Sequence, residues 1–493
     1  MATTRVIDTT TPSSDEPLLF EAQKKIYPQK VHGTFRRIKW IVLVVTLGIY
    51  YLLPFVRWDR GPDAPNQAVL IDFVTKRFYF FGVEIWPQEF YYITGLLILA
   101  ALILFLMNAV AGRVWCGYLC PQTVWTDLFL AVERLTEGDR RDRIKRDNGP
   151  LTLDTILRRT AKHTLWLIIA WWTGGAWVLY FADAPTLVWQ LATFTAPAMA
   201  YVWIGILTFT TYTLAGHMRE QVCLYMCPWP RIQAALTDEE ALNVTYRYDR
   251  GEPRGSVKRN AALRAKGEAA GDCIDCYQCV NVCPTGVDIR HGSQLGCIQC
   301  GLCIDACDTV MEKIGRPTRL IAYDTDRNVR ARTEGKPTHV RLIRWRTLAY
   351  VAIIAVVGSA MLYTLLTRST AGINVLHDRN PVFVRLSDGS VRNAYTLRVI
   401  NKNRDARTFE LTVMRPDGTP LPGAQLSAIG DEDAADGRVA LTIGPDQTRE
   451  VRAFVTIHDE PRGTAPDNAD IVFRIRDESG TSGASARDHF FGR

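Results

Sequence analysis

Uncharged apolar runs fill much of the first three quarters of this chain, whereas apolar and polar residues alternate in the last quarter, so two architectures are expected in one molecule. Four runs stand out: 17 residues between Lys39 and Arg57, 23 between Glu89 and Arg113, 20 between Lys162 and Asp183, and 21 between Arg346 and Arg368. Each is close to the roughly 20 residues that a membrane-spanning helix needs. A fifth run, residues 184 to 218, is 35 residues long and broken by Pro185 and Pro197. It is too short for two full spans, so an interfacial piece followed by one helix over about residues 198 to 215 is expected. From Gly372 onward the period falls to two, in VFVRL, YTLRVI, TFELTVM, VALTI, EVRAFVTI and IVFRIRD, with turn-rich SDGS, NKNRD and RPDGTP between them. About seven short strands of this kind predict an immunoglobulin-like sandwich.

The pattern therefore predicts a multi-domain membrane protein. An α-helical transmembrane bundle of about five helices carries a two-cluster ferredoxin-like insertion, and a C-terminal all-β sandwich follows. The expected divisions are a tail over 1–38, a four-helix membrane region over 39–245, a linker and insertion over 246–344 with its core at 271–312, a fifth span over 345–367, and the sandwich over 368–493. With 493 residues and 47% hydrophobic content, one soluble domain is excluded. The polar start, MATTRVIDTTTPSSDEPLLFEAQKKIYPQK, has no apolar core followed by a small-residue cleavage site, so a tail is expected there rather than a removed signal peptide.

Charge then sets an orientation. Residues 1–39 carry seven Lys and Arg and residues 112–164 carry ten, against four in 57–88 and none in 183–197. Basic loops stay in the cytoplasm, which places the N-terminus, the 112–164 loop and the insertion inside and the sandwich in the periplasm. The basic stretch RYDRGEPRGSVKRNAALRAKGEAAG, residues 247–271, is expected to be a solvated tether. Membrane lipid is an expected partner, and no nucleic acid is.

All twelve cysteines fall between Cys116 and Cys307. A disulfide-stapled secreted domain would carry some in its last part, so metal ligation is the better reading. Cys273, Cys276, Cys279 and Cys283 follow C-x2-C-x2-C-x3-C with Pro284 next, and Cys297, Cys300, Cys303 and Cys307 repeat the spacing with Asp308 next. This is the two-cluster ferredoxin pattern, in which the fourth cysteine of each run serves the other cluster. Two 4Fe-4S clusters are expected, one on Cys273, Cys276, Cys279 and Cys307 and the other on Cys297, Cys300, Cys303 and Cys283. Structural zinc prefers well-separated ligand pairs to four thiols in one compact run.

The other four cysteines repeat C-x-Y-x-C-P: Cys116 and Cys120 before Pro121, and Cys223 and Cys227 before Pro228. Each motif follows the second helix of an apolar pair, just after Arg113 or Arg219, so the membrane region looks duplicated. Proline suits the first turn of a helix, which would put Cys120 and Cys227 at N-caps where the helix dipole favours thiolate. PQTVWTDLFLAVERL and PWPRIQAALTDEEAL would be interfacial helices. Three uses stay open for these thiols: a soft ion such as Cu(I), a further cluster or redox dithiol, or packing. His217, Met218 and Met226 could extend a copper site, though packing at a helix end explains them better. His377 and His458 are expected at the surface.

On these residues the chain resembles the CcoG/FixG/RdxA family of cytochrome c oxidase accessory proteins, membrane polyferredoxins with paired helices, the duplicated C-x-Y-x-C-P and the run CIDCYQCVNVCPTGVDIR. The resemblance implies a bacterial inner-membrane protein that reduces Cu(II) to Cu(I) for assembly of a cbb-type oxidase, a cupric reductase. Copper would be held at Cys116, Cys120, Cys223 and Cys227. It also implies oxidase assembly factors or copper chaperones as partners and an electron donor that the residues do not identify. Two other functions fit the same motifs: a quinol dehydrogenase resembling NapH or NosR, and an assembly scaffold with structural clusters.

Overall fold

The computed structural model describes residues 25–61, 64–403, 405–430, 438–458, 468–478, 480 and 482–492. Most of the expected N-terminal tail, residues 1–24, lies outside them. The chain divides into two compact units, one of residues 1–52, 100–178 and 193–352, the other of residues 53–99, 179–192 and 353–493.

Among the described residues four helices are long and apolar enough to cross a membrane: Thr34–Phe55, Pro87–Ala111, Ala198–Met218 and Trp345–Leu366. The fifth expected span differs. Leu153–Val178 is a 26-residue helix that begins ten residues before the apolar run, so Arg158, Arg159 and Lys162 sit inside it. Lys162 is buried there because Glu137 pairs with it at 2.8 Å. The broken run behaves as its prolines demand, with one helix over Ala184–Ala192 and another from Ala198.

In the first unit, the Leu153–Val178 helix packs on the helix from Ala198 through a glycine. A β-carbon at Gly174 would stand 2.9 Å from the Ile204 carbonyl oxygen, so only a bare backbone permits this approach. Pro121–Glu137 packs on the same helix, burying Phe129 against Trp166 with rings stacked at 5.3 Å. One face of this segment is therefore part of the core. Its partner in the sequence repeat is short, Trp229–Leu236, and DEEAL beyond it is a turn leading to the strand Asn243–Tyr246. That strand pairs with Ile321–Asp324, antiparallel, and the pair brackets the cysteine-rich segment.

Buried charge ties the first transmembrane helix to this core. Asp127 accepts both Arg36, at 3.0 Å, and Lys39, at 3.1 Å, and all three are largely out of solvent. Burial opposes a charged Asp127, but the two cations outweigh it and hold the carboxyl below its ordinary range. Replacing Asp127 with asparagine leaves two buried cations without a counter-charge. A loss of about 3–5 kcal/mol is expected, read as a lowered unfolding midpoint of the purified protein in detergent.

The second unit holds a small antiparallel sheet, Val69–Asp72, Arg77–Phe80 and Val83–Ile85 in that order, which the hydrophobic pattern did not predict. Its loop is held by Arg60, whose guanidinium donates to the carbonyls of Pro65, Gln67, Ala68 and Phe81. The sandwich has one sheet in the order Ala424–Ala428, Gln447–Ile457, Val391–Asn401, Ala371–His377, and another in the order Arg438–Ile443, Arg407–Met414, Asn468–Asp477, Gly483–Phe491. The longest pairing sets Gln447 against Asn401 and Ile457 against Val391. Alternation buries Tyr395, Leu397, Val399, Phe473 and Ile475 between the sheets. VFVRL shrinks to a two-residue edge strand at Val384–Arg385, while Ala371–His377, Ala424–Ala428 and Gly483–Phe491 are strands beyond the six predicted segments. His377 is half-buried, not at the surface: it bonds Asn393 at 3.0 Å and stands edge-on to Tyr395. His458 is exposed, as its position in the sequence suggests.

Candidate metal–sulfur site

Both ferredoxin runs follow the same local backbone rule. In the first, Asp275 and Tyr277 take left-handed conformations at φ 53° and 54°; in the second, Gln299 and Gly301 do so at 55° and 73°. These are the residues immediately before and after the second cysteine of each run. Alternating right- and left-handed residues turns successive amides inward and forms an anion-binding concavity. The Val287 amide donates to Cys283 Sγ at 3.3 Å, and the amides of Gln299 and Leu302 favour the ionised forms of Cys297 and Cys300 against burial. Three non-glycine residues in this region are held there against their preference, Tyr277 under the Arg290 guanidinium at 4.1 Å. Arg290 in turn bonds Asp275 at 2.8 Å and Asp288 at 2.6 Å.

Burial pushes the Cys279 and Cys297 thiols up to about 12 and drives Cys303 and Cys307 higher still. The neighbours that add to this sort the eight cysteines. Cys307 lies in the field of Cys279, Cys276 and Cys273, whereas Cys303 lies in that of Cys300, Cys297 and Cys283, with Cys279 beyond. Buried thiols this hard to ionise become thiolates when a metal cation replaces the proton. Soft sulfur donors cradled by amides fit a 4Fe-4S cluster, which supplies one-electron transfer when bound. Among the described residues no three His, Cys, Asp or Glu side chains converge on one point as ligands of a single ion do. A four-iron cube takes one thiolate at each iron and needs no such convergence. Asp308, which stands where a proline could, lies inside the helix Leu302–Lys313 that carries Cys307 and accepts the Arg319 amide at 2.6 Å.

The two C-x-Y-x-C-P motifs meet against the second run. Cys116, Cys120, Cys223 and Cys227 line one cavity of about 230 Å³, whose wall also includes Cys297. Trp115, Val222, Trp229 and Ile298 make its apolar sides. Burial pushes both Cys116 and Cys223 up to about 12, with Cys120 adding to each. Cys120 is the N-cap of Pro121–Glu137 as expected. Cys227 is not an N-cap: Pro228 takes that place, and Cys227 ends a wide turn in which its amide bonds Val222. The duplication is thus not symmetric. Tyr118 is buried and donates to the Cys300 carbonyl at 3.0 Å, while its counterpart Tyr225 is exposed. Met226 is exposed too, and His217 faces another cavity, lined with His163.

Several contacting residues carry no local signal in the sequence. Cys116 Sγ donates to Gln233 Oε1 at 3.3 Å, and Arg113 donates to the carbonyls of Leu295 and Cys297 while its amide donates to Gln299. Gly117 allows the closest approach. A β-carbon there would stand 2.8 Å from the Ile298 carbonyl oxygen and 3.1 Å from the Cys300 α-carbon, both backbone atoms that cannot yield cheaply. Gly117→Ala is therefore expected to cost about 1–3 kcal/mol and to lower the unfolding midpoint. Gly48→Ala, which meets nothing within 4 Å, is the control that leaves it unchanged.

The expected tether is instead folded onto the site. It forms helices at Tyr248–Gly251 and Val257–Ala265, and the fully buried Asn260 donates to the carbonyls of Gly271 and Cys273. Arg250 and Arg264 pair with Asp272 at 3.0 and 2.7 Å, while Lys258, Arg259 and Lys266 stay exposed to solvent as expected. The first transmembrane helix docks there as well, since Asp305 accepts the amides of Phe35 and Arg36.

Residues 218–326 match the family model of a 4Fe-4S dicluster domain, residues 93–136 a 4Fe-4S binding domain, and residues 361–493 the Ig-like fold at the C-terminus of FixG. Over most of its length the chain is similar to three curated proteins. The nitrogen fixation protein FixG of Rhizobium meliloti is 50% identical over 90% of this chain and 88% of its own. RdxB of Cereibacter sphaeroides is 51% identical over 82% and 85%, and RdxA of the same organism is 48% identical over 95% and 96%.

Proposed function

Because the chain belongs to the FixG/RdxA family and is an iron–sulfur electron-transfer protein of the membrane, we propose that its electrons reduce Cu(II) to Cu(I) at the four-cysteine cavity, for assembly of a cbb-type oxidase. One observation carries this reading: Cys297, a ligand of the second cluster, stands in the wall of the cavity that Cys116, Cys120, Cys223 and Cys227 line. Thiolates select Cu(I) over harder ions, so the one-electron product is the form the cavity retains. Charge balances simply, since each Cu(II) takes one electron and each thiol that binds it releases a proton. The excess of Lys and Arg in residues 1–39 and 112–164 supports a cytoplasmic N-terminus and cytoplasmic clusters at an inner membrane; with Leu153–Val178 as a fifth span beside the four long apolar helices, the sandwich lies in the periplasm. Oxidase assembly factors or copper chaperones are the proposed recipients.

A second reading has its own support. The 4Fe-4S binding model matched at residues 93–136 contains Cys116 and Cys120, so a further cluster could occupy the cavity. The test uses full-length protein purified anaerobically, reduced with dithionite, desalted and mixed with Cu(II) in the presence of a chromophoric Cu(I) chelator. About two Cu(I) per chain are expected, one for each cluster electron. Yield no greater than that of iron-depleted protein would overturn the reading.

A further inference from the structure

A second cavity, of about 440 Å³, opens beside the four-cysteine site, on the far side of Arg219 and Glu220. Three rings line it, and Tyr212 packs behind them. His163 and His217 lie parallel at 5.8 Å, Trp166 stands perpendicular to both at 5.3 and 6.1 Å, and Tyr212 is 5.1 Å from His217. The helix that bears Tyr212 and His217 widens into a π-helical turn over Tyr212–Met218, Arg219 follows at φ 42°, and a second wide turn runs over Val222–Met226. This irregular backbone turns the rings to one side and Cys223 and Cys227 to the other, and such π-turns recur where helices carry function.

The charges around the cavity are already matched. Lys162 pairs with Glu137 at 2.8 Å, Arg219 with Glu133 at 3.1 Å, and Arg159 with Asp147 at 2.8 Å, while Lys25 also pairs with Asp147. A phosphate would have to displace these carboxylates. Beside the buried Glu220 carboxyl, which has no ion pair among the described residues, the uncommitted hydrogen-bonding groups are the imidazoles: His163 uses Nδ1 with the Tyr212 hydroxyl at 2.9 Å and keeps Nε2 open, and no hydrogen bond engages the His217 ring among the described residues. Neutral rings with open nitrogens, in an aromatic box at the end of two membrane-embedded helices, suit a neutral aromatic ring bearing hydroxyl or carbonyl oxygens.

We propose that this cavity binds the headgroup of a membrane quinol, with His163 Nε2 and His217 as its hydrogen-bond partners, and that quinol is the electron donor. This rests on the electron-transfer reading above and names its source. Oxidation balances within the chain: the quinol releases two protons, which the open nitrogens are placed to accept, and two electrons, one for each of the two one-electron clusters, and leaves as quinone. Arg219 and Glu220 also border a smaller cavity with Cys223, Pro284 and Thr285, so only one turn of chain separates the rings from the sulfurs.

The test is binding of a short-tailed benzoquinone to the full-length protein by titration calorimetry, with cluster reduction by the matching quinol followed by EPR. His217→Phe and His163→Phe are expected to weaken binding by at least about ten-fold and to abolish quinol-driven reduction, while iron content and dithionite-reduced spectra stay as in the unaltered protein. Absence of quinone binding, or equal binding by the variants, overturns the proposal. So does displacement of the quinone by inorganic phosphate, which would make the cavity an anion site. Copper reduction by dithionite-reduced protein is measured in parallel and reports separately on the copper reading.

Discussion

Cys276→Ser is expected to remove one of the two cluster signals while the protein stays folded in the membrane, with iron falling from about eight to about four per chain. The position isolates ligation from packing. Cys276 is exposed, whereas Cys273, Cys279 and Cys307 are buried members of the same set. A serine hydroxyl replaces the sulfur at almost no steric cost, but it lacks the soft, easily ionised donor that holds iron. The backbone around it stays set by Asp275 and Tyr277 and by the Arg290 clasp, none of which depends on the thiol. Cys297, Cys300, Cys303 and Cys283 remain for the other cluster. Two undiminished signals in the reduced spectrum would remove Cys276 from the ligand set.

The double change Cys120→Ser and Cys227→Ser is expected to leave the iron of both ferredoxin clusters in place and to cut copper retention by at least about ten-fold, the smaller end of what even outer-shell changes cost a metal site. These two are chosen because neither is buried; Cys116 is bonded to Gln233 inside the core, and its loss would disturb packing. The same variant separates the two contents of the cavity. With copper there, iron stays at about eight per chain; with a further cluster there, it falls from about twelve to about eight. Undiminished copper with unchanged iron would defeat both.

Much was legible because it depends on neighbours in the chain. Apolar runs of spanning length, proline breaks at Pro185 and Pro197, period-two strands after Gly372 and the C-x2-C-x2-C-x3-C spacing are all local. Local reading failed where burial rescued polarity. Arg158, Arg159 and Lys162 looked like a loop flank, yet they lie within a helix whose lysine is buried against Glu137. The basic stretch after Arg247 looked wholly solvated, yet Asn260 and Arg264 bond the loop that carries Cys273 and Arg250 pairs with its Asp272. Charge content predicts exposure only when no partner of opposite sign waits in the fold.

Sequence alone determined that the chain carries a 4Fe-4S dicluster segment, since short gaps between cysteines dictate how a loop wraps a cube. It also determined that lipid and a β-sandwich bracket that loop. Tertiary structure alone decided that two motifs 107 residues apart close on one cavity with Cys297 in its wall, that Gly117 must be bare to let them do so, and that His163 and His217 share another cavity beside it. The physical reason is the range of the forces involved. Ligand spacing and strand period are set by covalent geometry over a few residues, but which surfaces touch is settled by packing among segments far apart in the chain, where one missing β-carbon or one buried ion pair tips the balance.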